Sequence, residues 1–159
     1  MSEHNYLLKL RAQCLKLPFG ARIFSMMFAR KAPYFASIKP LITELKPNFC
    51  QLTFNKRKAV ENHIGTVHAI AVCNGMEMAM GALAEASIPK HLRWLPKGMQ
   101  VNYLAKTDSD VRVEAKATED TWQVGDQPIE VTAYRADGTV VAAGHITIYV
   151  SEKPQKPKS

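Results

Sequence analysis

Residues 67–86 read VHAIAVCNGMEMAMGALAEA, a stretch whose only strongly polar members are His68, Asn74, Glu77 and Glu85. Its length and its Ala, Met, Leu and Val content predict one long helix. A helix that is apolar on nearly every side has no solvent face and belongs inside the fold. It is too interrupted to cross a bilayer, and no run in the chain reaches the roughly 18–20 apolar residues of a membrane span. At 100° per residue, Asn74, Glu77, Gly81 and Glu85 fall within about 80° of arc, one polar stripe on a buried rod.

The flanking sequence supplies what would bury that rod. Downstream, Met99–Lys106, Asp110–Thr118, Ile129–Tyr134 and Thr139–Val150 read as strands. In the second of these, Val111, Val113, Ala115 and Ala117 alternate with Arg112, Glu114, Lys116 and Thr118, so the sheet has one wet face. Asp137-Gly138 marks a hairpin. Upstream, Leu41–Leu45 and Phe49–Phe54 are short β-rich runs separated by the turn signal Lys46-Pro47-Asn48. A single antiparallel sheet wrapped around one long central helix buries every apolar face at once, an α+β fold.

Ahead of the first strand, Leu7, Leu8, Leu10, Cys14, Leu15 and Leu17 recur at helical spacing. Pro18 and Gly20 interrupt, and a second short helix is expected from Ala21 to Arg30. The chain thus divides into a helical arm over 1–34, the sheet-and-helix domain over 35–150, and a basic tail over 151–159. Lys153, Lys156 and Lys158 among prolines mark that tail as solvated and disordered. A basic amphipathic helix can lie on a membrane surface. Docking of the leucines on the body of the fold is the favoured reading, and peripheral membrane contact is not.

The 159 residues, 47% hydrophobic and 22% charged, fit one globular domain. Three cysteines, Cys14, Cys50 and Cys73, cannot all pair within one chain and have no zinc spacing, which points to a reduced, cytoplasmic compartment. The apolar run Ile23–Ala29, set between Arg22 and Arg30, does not read as a secretory signal. No metal constellation or Gly-rich phosphate loop is present in the sequence. The net charge of +7 is uneven, with eleven Lys and Arg against two acids in residues 1–58. Such a surface suits nucleic acid, an anionic membrane or a phosphorylated small molecule. Without a nucleic-acid reading motif, the first of these is not expected.

The loop before the long helix reads Asn62-His63-Ile64-Gly65-Thr66-Val67-His68-Ala69. Gly65 permits a tight backbone and Thr66 is the expected N-cap, leaving free N–H groups around Val67–Ala69 for an anion or a polarised carbonyl. Further along, Glu77 puts a carboxylate into an apolar rod, which is costly without a partner and useful for a general base or nucleophile. Asn74 and Glu85 are the neighbours expected to hydrogen-bond it. The bland alternative is that Glu77 and Glu85 line a subunit interface.

The spacing Asn62-x-x-Gly65-x-x-His68, with a carboxylate at Glu77, resembles the hotdog-fold acyl-CoA thioesterases, most closely the phenylacetate-pathway type. The resemblance covers about residues 35–150. It implies a hotdog fold, a homodimer or dimer of dimers with sites at the interface, and no cofactor, coenzyme A entering as part of the substrate. It further implies that Asn62 positions substrate or water and that the Ala69 N–H stabilises the thioester oxyanion. His68 would orient that turn, and Glu77 from the partner subunit would be the base or nucleophile. Gly65 and Gly81 would lie against the substrate. Lys56, Arg57 and Lys58, and also Lys90, Arg93 and Lys97, are candidates for the coenzyme A phosphates.

The sequence departs from the family pattern at the helix start, where His68-Ala69-Ile70 stands for His-Gly-Gly. It also has Glu77 for the usual Asp, and Pro96-Lys97-Gly98 where a helper Ser or Thr is common. These departures keep open a non-catalytic module that binds acyl-CoA or lipid. A hydratase of the same fold matches less well, because His68 is poorly spaced for it. Trp94 and Trp122 are read as packing residues.

Overall fold

The computed structural model describes residues 5–154. Its six strands are β1 (Leu41–Lys46), β2 (Phe49–Phe54), β3 (Leu92–Tyr103), β4 (Val111–Lys116), β5 (Gly125–Arg135) and β6 (Val140–Glu152). They form one antiparallel sheet in the order β1-β2-β4-β5-β6-β3. Against one face of the sheet lies the long helix, with two shorter helices ahead of it: α1 (Tyr6–Cys14), α2 (Gly20–Lys31) and α3 (Ala69–Ser87).

The core follows from the predicted periodicities. Met76, Met78, Ala79, Met80, Ala82, Leu83 and Ala84 of α3 have no solvent exposure, and neither do the inward positions Leu52, Val113, Ala115, Ile129, Val131 and Ile148 of the strands. Methionines suit such an interior because an unbranched thioether fills irregular gaps. Gly75 lets α3 approach β2, since a Cβ there would lie 3.0 Å from the Phe54 ring.

Two expectations are corrected. β3 starts at Leu92, seven residues before the predicted Met99, and so runs through Pro96 and Gly98. Those residues read as breakers in the sequence. At the sheet edge a proline costs no ladder bond, and the register shift between Pro96 and Gly98 absorbs it. The second correction concerns the tail. Ser151 and Glu152 continue β6 opposite Arg93 and Leu92, and the Lys153 N–H donates to His91 O at 2.8 Å. Lys156 and Lys158 of that tail lie outside the described residues.

The arm docks as favoured. Leu7 and Cys14 of α1 and Phe24, Phe28 and Ala29 of α2 are buried in the common core. It also covers the outer edge of the sheet at β1: the Ile42 N–H donates to Ser25 Oγ at 2.8 Å, and Arg11 donates to Thr43 O at 3.0 Å. The β5–β6 hairpin turns at Asp137-Gly138, with Gly138 at φ 86°. Arg135 and the Thr139 N–H both donate to the Asp137 carboxylate, holding that acid well below its usual range.

Gly144 of β6 leaves no room for a side chain, because a Cβ there would stand 1.9 Å from Gln100 O of β3. Gly144→Ala is expected to lower stability by about 1–3 kcal/mol, in the range of overpacked sites. Urea unfolding measures it. Gly98→Ala, with nothing within 4 Å of its added carbon, serves as the control and leaves the midpoint unchanged.

Candidate active site

The start of α3 is organised by two side chains. Asn62 Oδ1 accepts from the Ile64 and Thr66 N–H groups, each at 3.1 Å, and its Nδ2 donates to Thr66 Oγ1 at 2.9 Å. This is an Asx-type loop, closed by Gly65 at φ 74°. The Asn62 amide thus builds the loop, with its bonds turned into its own turn. Thr66 is not the N-cap. That position belongs to His68, whose Nδ1 accepts from the Ile70 N–H at 3.1 Å. Through that bond His68 caps the first turn of α3.

Of the expected free donors, Val67 and His68 are already taken: their N–H groups donate to Thr107 O and Val60 O, both at 2.8 Å. Among the described residues the Ala69 N–H has no acceptor, and it lies at the positive end of a nineteen-residue helix. The side chain of Ile70 beside it is 52% exposed.

Glu77 lies elsewhere. It lines a cavity of about 580 Å³ whose walls are Tyr6, Leu7, Phe28, Phe35, Met80, Gly81, Ile88 and Trp94, with Lys31, Lys90 and Lys153 also on its lining. The volume falls within the usual range for a small-molecule site. Glu77 is half-buried rather than enclosed and forms no ion pair among the described residues. Neither expected partner bonds it. Glu85 accepts from Trp94 Nε1 at 2.9 Å, while Asn74 Nδ2 donates to Tyr34 O and Ser37 Oγ at 3.2 and 3.1 Å. Trp94 packs as expected and also forms part of the cavity wall, over Gly81, where a Cβ would meet its ring at 3.5 Å. Trp122 donates to Asn48 Oδ1 at 2.8 Å and stands outside this cavity.

The basic loop is not part of this lining. Lys56 pairs with Glu61 at 3.3 Å, Arg57 donates to Ser37 O, and the Lys58 side chain is 96% exposed. Arg93 bonds Ser151 and Lys97 bonds Asp126, which leaves Lys90 as the one flanking cation placed at the cavity. Lys31, Lys153 and the arm aromatics were not singled out from the sequence. The spacing of Phe28, Ala32 and Phe35 was a usable signal, obscured by Pro33. Among the described residues no cluster of His, Cys, Asp and Glu is placed to hold a metal ion, and no helix is long and apolar enough to cross a membrane.

A family model described as a domain of unknown function, DUF4442, matches residues 20–150. The chain belongs to the DUF4442 family. A crystal structure described as genomics target APC5556 is 44% identical to this DUF4442 chain, covering 93% of it and 99% of the other, with a TM-score of 0.82. PA5026 of Pseudomonas aeruginosa, described as a probable thioesterase, is 22% identical over 86% of this chain and 97% of its own, with a TM-score of 0.73. A thioesterase family protein from Silicibacter pomeroyi is 21% identical over 90% of this chain and 99% of its own, TM-score 0.70. A search of the curated proteins finds no match. The DUF4442 chain therefore has the hotdog fold, shared with proteins named as thioesterases.

Two measurements probe the helix start and its neighbour on α3. His68→Ala is expected to lower stability by about 0.5–2 kcal/mol, and His68→Asn, a strong N-cap, to recover most of that in thermal unfolding. Cys73 is half-buried with its Sγ 3.9 Å from Tyr103 Oη, and burial raises its pKa, whereas burial pushes the Cys50 thiol up to about 12. A thiol reagent applied to the folded chain is expected to label Cys73 alone, faster as pH rises. Labelling of the buried Cys14 and Cys50 awaits unfolding.

Proposed function

We propose that this DUF4442 chain hydrolyses acyl-CoA thioesters, or the equivalent esters on an acyl carrier protein, at a site shared by two subunits. The observation that carries the reading is Glu77, an unpaired carboxylate on the wall of an apolar cavity within a hotdog fold. The acyl chain would enter the cavity, and Glu77 would take a proton from water as its oxygen attacks the thioester carbonyl. The oxyanion would rest on the Ala69 N–H, and collapse would break the C–S bond to release the thiol and a carboxylic acid.

The two groups stand eight residues apart on one helix, about 12 Å along its axis. One protomer therefore does not place both at a single carbonyl. A second copy would supply the missing group, and β3 offers a surface for such an assembly. It is an edge strand of twelve residues with an unpaired ladder, and Leu95, Met99 and Tyr103 on it are exposed. Each protomer would contribute its helix start, with the outreaching Lys58 for a coenzyme A phosphate, to the partner's Glu77 and cavity. Lys90 and Lys31 are further phosphate candidates at the cavity itself. Three free thiols support a reducing, cytoplasmic setting.

The second reading is a module that binds acyl-CoA or lipid without turnover. Exposed Ile70 beside the Ala69 N–H and the inward-turned Asn62 amide favour it. A thiol-release assay over short, long and aromatic acyl-CoAs separates the two. Glu77→Ala is expected to cut turnover by about 10²–10⁴-fold without unfolding the protein, as loss of a general base does. Undiminished turnover in that variant removes Glu77 from the mechanism, and tight binding with no thiol released establishes the second reading.

A further inference from the structure

From the structure we infer a docking surface for an anionic phospholipid bilayer, formed by the α1–α2 turn and the outer face of α2. Between Glu3 and Glu44 the chain has seven Lys and Arg and no acid. Six of these seven, Lys9, Lys16, Arg22, Arg30, Lys31 and Lys39, are exposed and form no ion pair among the described residues. Elsewhere in the protein exposed lysines commonly sit beside carboxylates, as Lys46 does with Glu44 and Lys97 with Asp126.

The apolar half of the surface adjoins Lys16 and Arg22 along the chain and Arg30 on the same helix, while Lys31 stands at the cavity. Leu15, Leu17 and Phe19 are 46%, 55% and 77% exposed within five consecutive residues of the turn. Phe19 holds a left-handed backbone, φ 58°, which a bulky residue seldom adopts. On α2 the buried residues Phe24, Ser25, Phe28 and Ala29 occupy the core side, so Arg22, Met26 and Arg30, spaced four apart, share the outward face with exposed Met27 beside them. Leu7, Leu8 and Leu10 of α1 pack on the fold, as favoured from the sequence, and the exposed apolar surface lies further along the chain.

Charge decides the occupant. A second copy of this face would bring two acid-free, strongly basic surfaces together. A nucleic acid would use the cations but leaves Leu15, Leu17, Phe19, Met26 and Met27 without apolar partners. A bilayer with anionic headgroups satisfies both halves, cations at the phosphates and hydrocarbon below them. The arm packs on β1, at the sheet edge opposite β3, so pairing of two copies along β3 leaves this surface uncovered. The inference does not require the chain to be a thioesterase.

The test is sedimentation of the full chain with phosphatidylcholine vesicles, with and without phosphatidylglycerol, at about 0.1 M salt, where charges beyond about 10 Å are screened. Binding is expected to the anionic vesicles only. Leu17→Ser with Phe19→Asn removes the apolar tip without changing charge, and Asn accepts the left-handed backbone. Arg22→Gln with Arg30→Gln removes two charges, each worth about fivefold in partitioning. Either pair is expected to reduce bound protein at least tenfold while circular dichroism and turnover of a short soluble acyl-CoA stay unchanged. Failure to bind anionic vesicles overturns the inference, as does binding undiminished in both double variants. Retention of the chain on duplex or single-stranded DNA but not on vesicles assigns the face to nucleic acid instead. A changed oligomeric state of the folded Leu17→Ser, Phe19→Asn variant assigns it to self-association.

Discussion

Burial of α3 against the inner face of the sheet is the constraint on which the other elements depend. A helix whose Met76, Met78, Met80 and Leu83 all lack exposure needs apolar surface on several sides. The sheet supplies part of it, mainly from β2 and β4 with β1 and β5 beside them, and the arm with the short helix at Pro33–Ile38 supplies more. Ser25, Asn74 and Arg11 then pin the arm by hydrogen bonds to β1 and to the backbone at Tyr34. The cavity beside Glu77 forms where this covering is incomplete, between the start of α1, the end of α2 and Trp94.

Division of the chemistry along one helix follows from the same constraint. Along α3 itself, backbone N–H groups are left unspent only at the helix start. A carboxylate on such a rod has to emerge where the packing thins, which here is more than two turns away. The distance between Ala69 and Glu77 is thus a consequence of how α3 is buried, and under the proposed function it is the reason a second protomer would be needed.

Much of the fold was legible from residue patterns. The 67–86 stretch located the central helix to within two residues at each end. The alternation in Val111–Ala117 and the Asp137-Gly138 pair placed two strands and a hairpin. The beginning of β3 was hidden because Pro96 and Gly98 carry the same local meaning in a loop as at a sheet edge with a bulge, and only the sheet order distinguishes them. The site was less legible. Thr66 is the better cap by propensity, yet Asn62 claims its hydroxyl and leaves the role to His68. Lys31 and Lys153 reach the cavity from opposite ends of the chain, a proximity with no local signature.

The two edges of the sheet are treated differently. The outer side of β1 is spoken for: Ser25 and Arg11 occupy backbone groups that another strand would need, and a register shift between Ile42 and Glu44 bends the strand. Among the described residues β3 has no such cover, and its own shift at Pro96–Gly98 leaves the regular run Gly98–Tyr103 beyond the bulge. A chain with one adhesive edge and one blocked edge is a polymer terminator as well as a monomer. Strand-to-strand joining can consume β3 once, by two-fold symmetry, and then has no edge left from which to grow. By closing the β1 side, the arm leaves strand pairing only one direction in which to proceed.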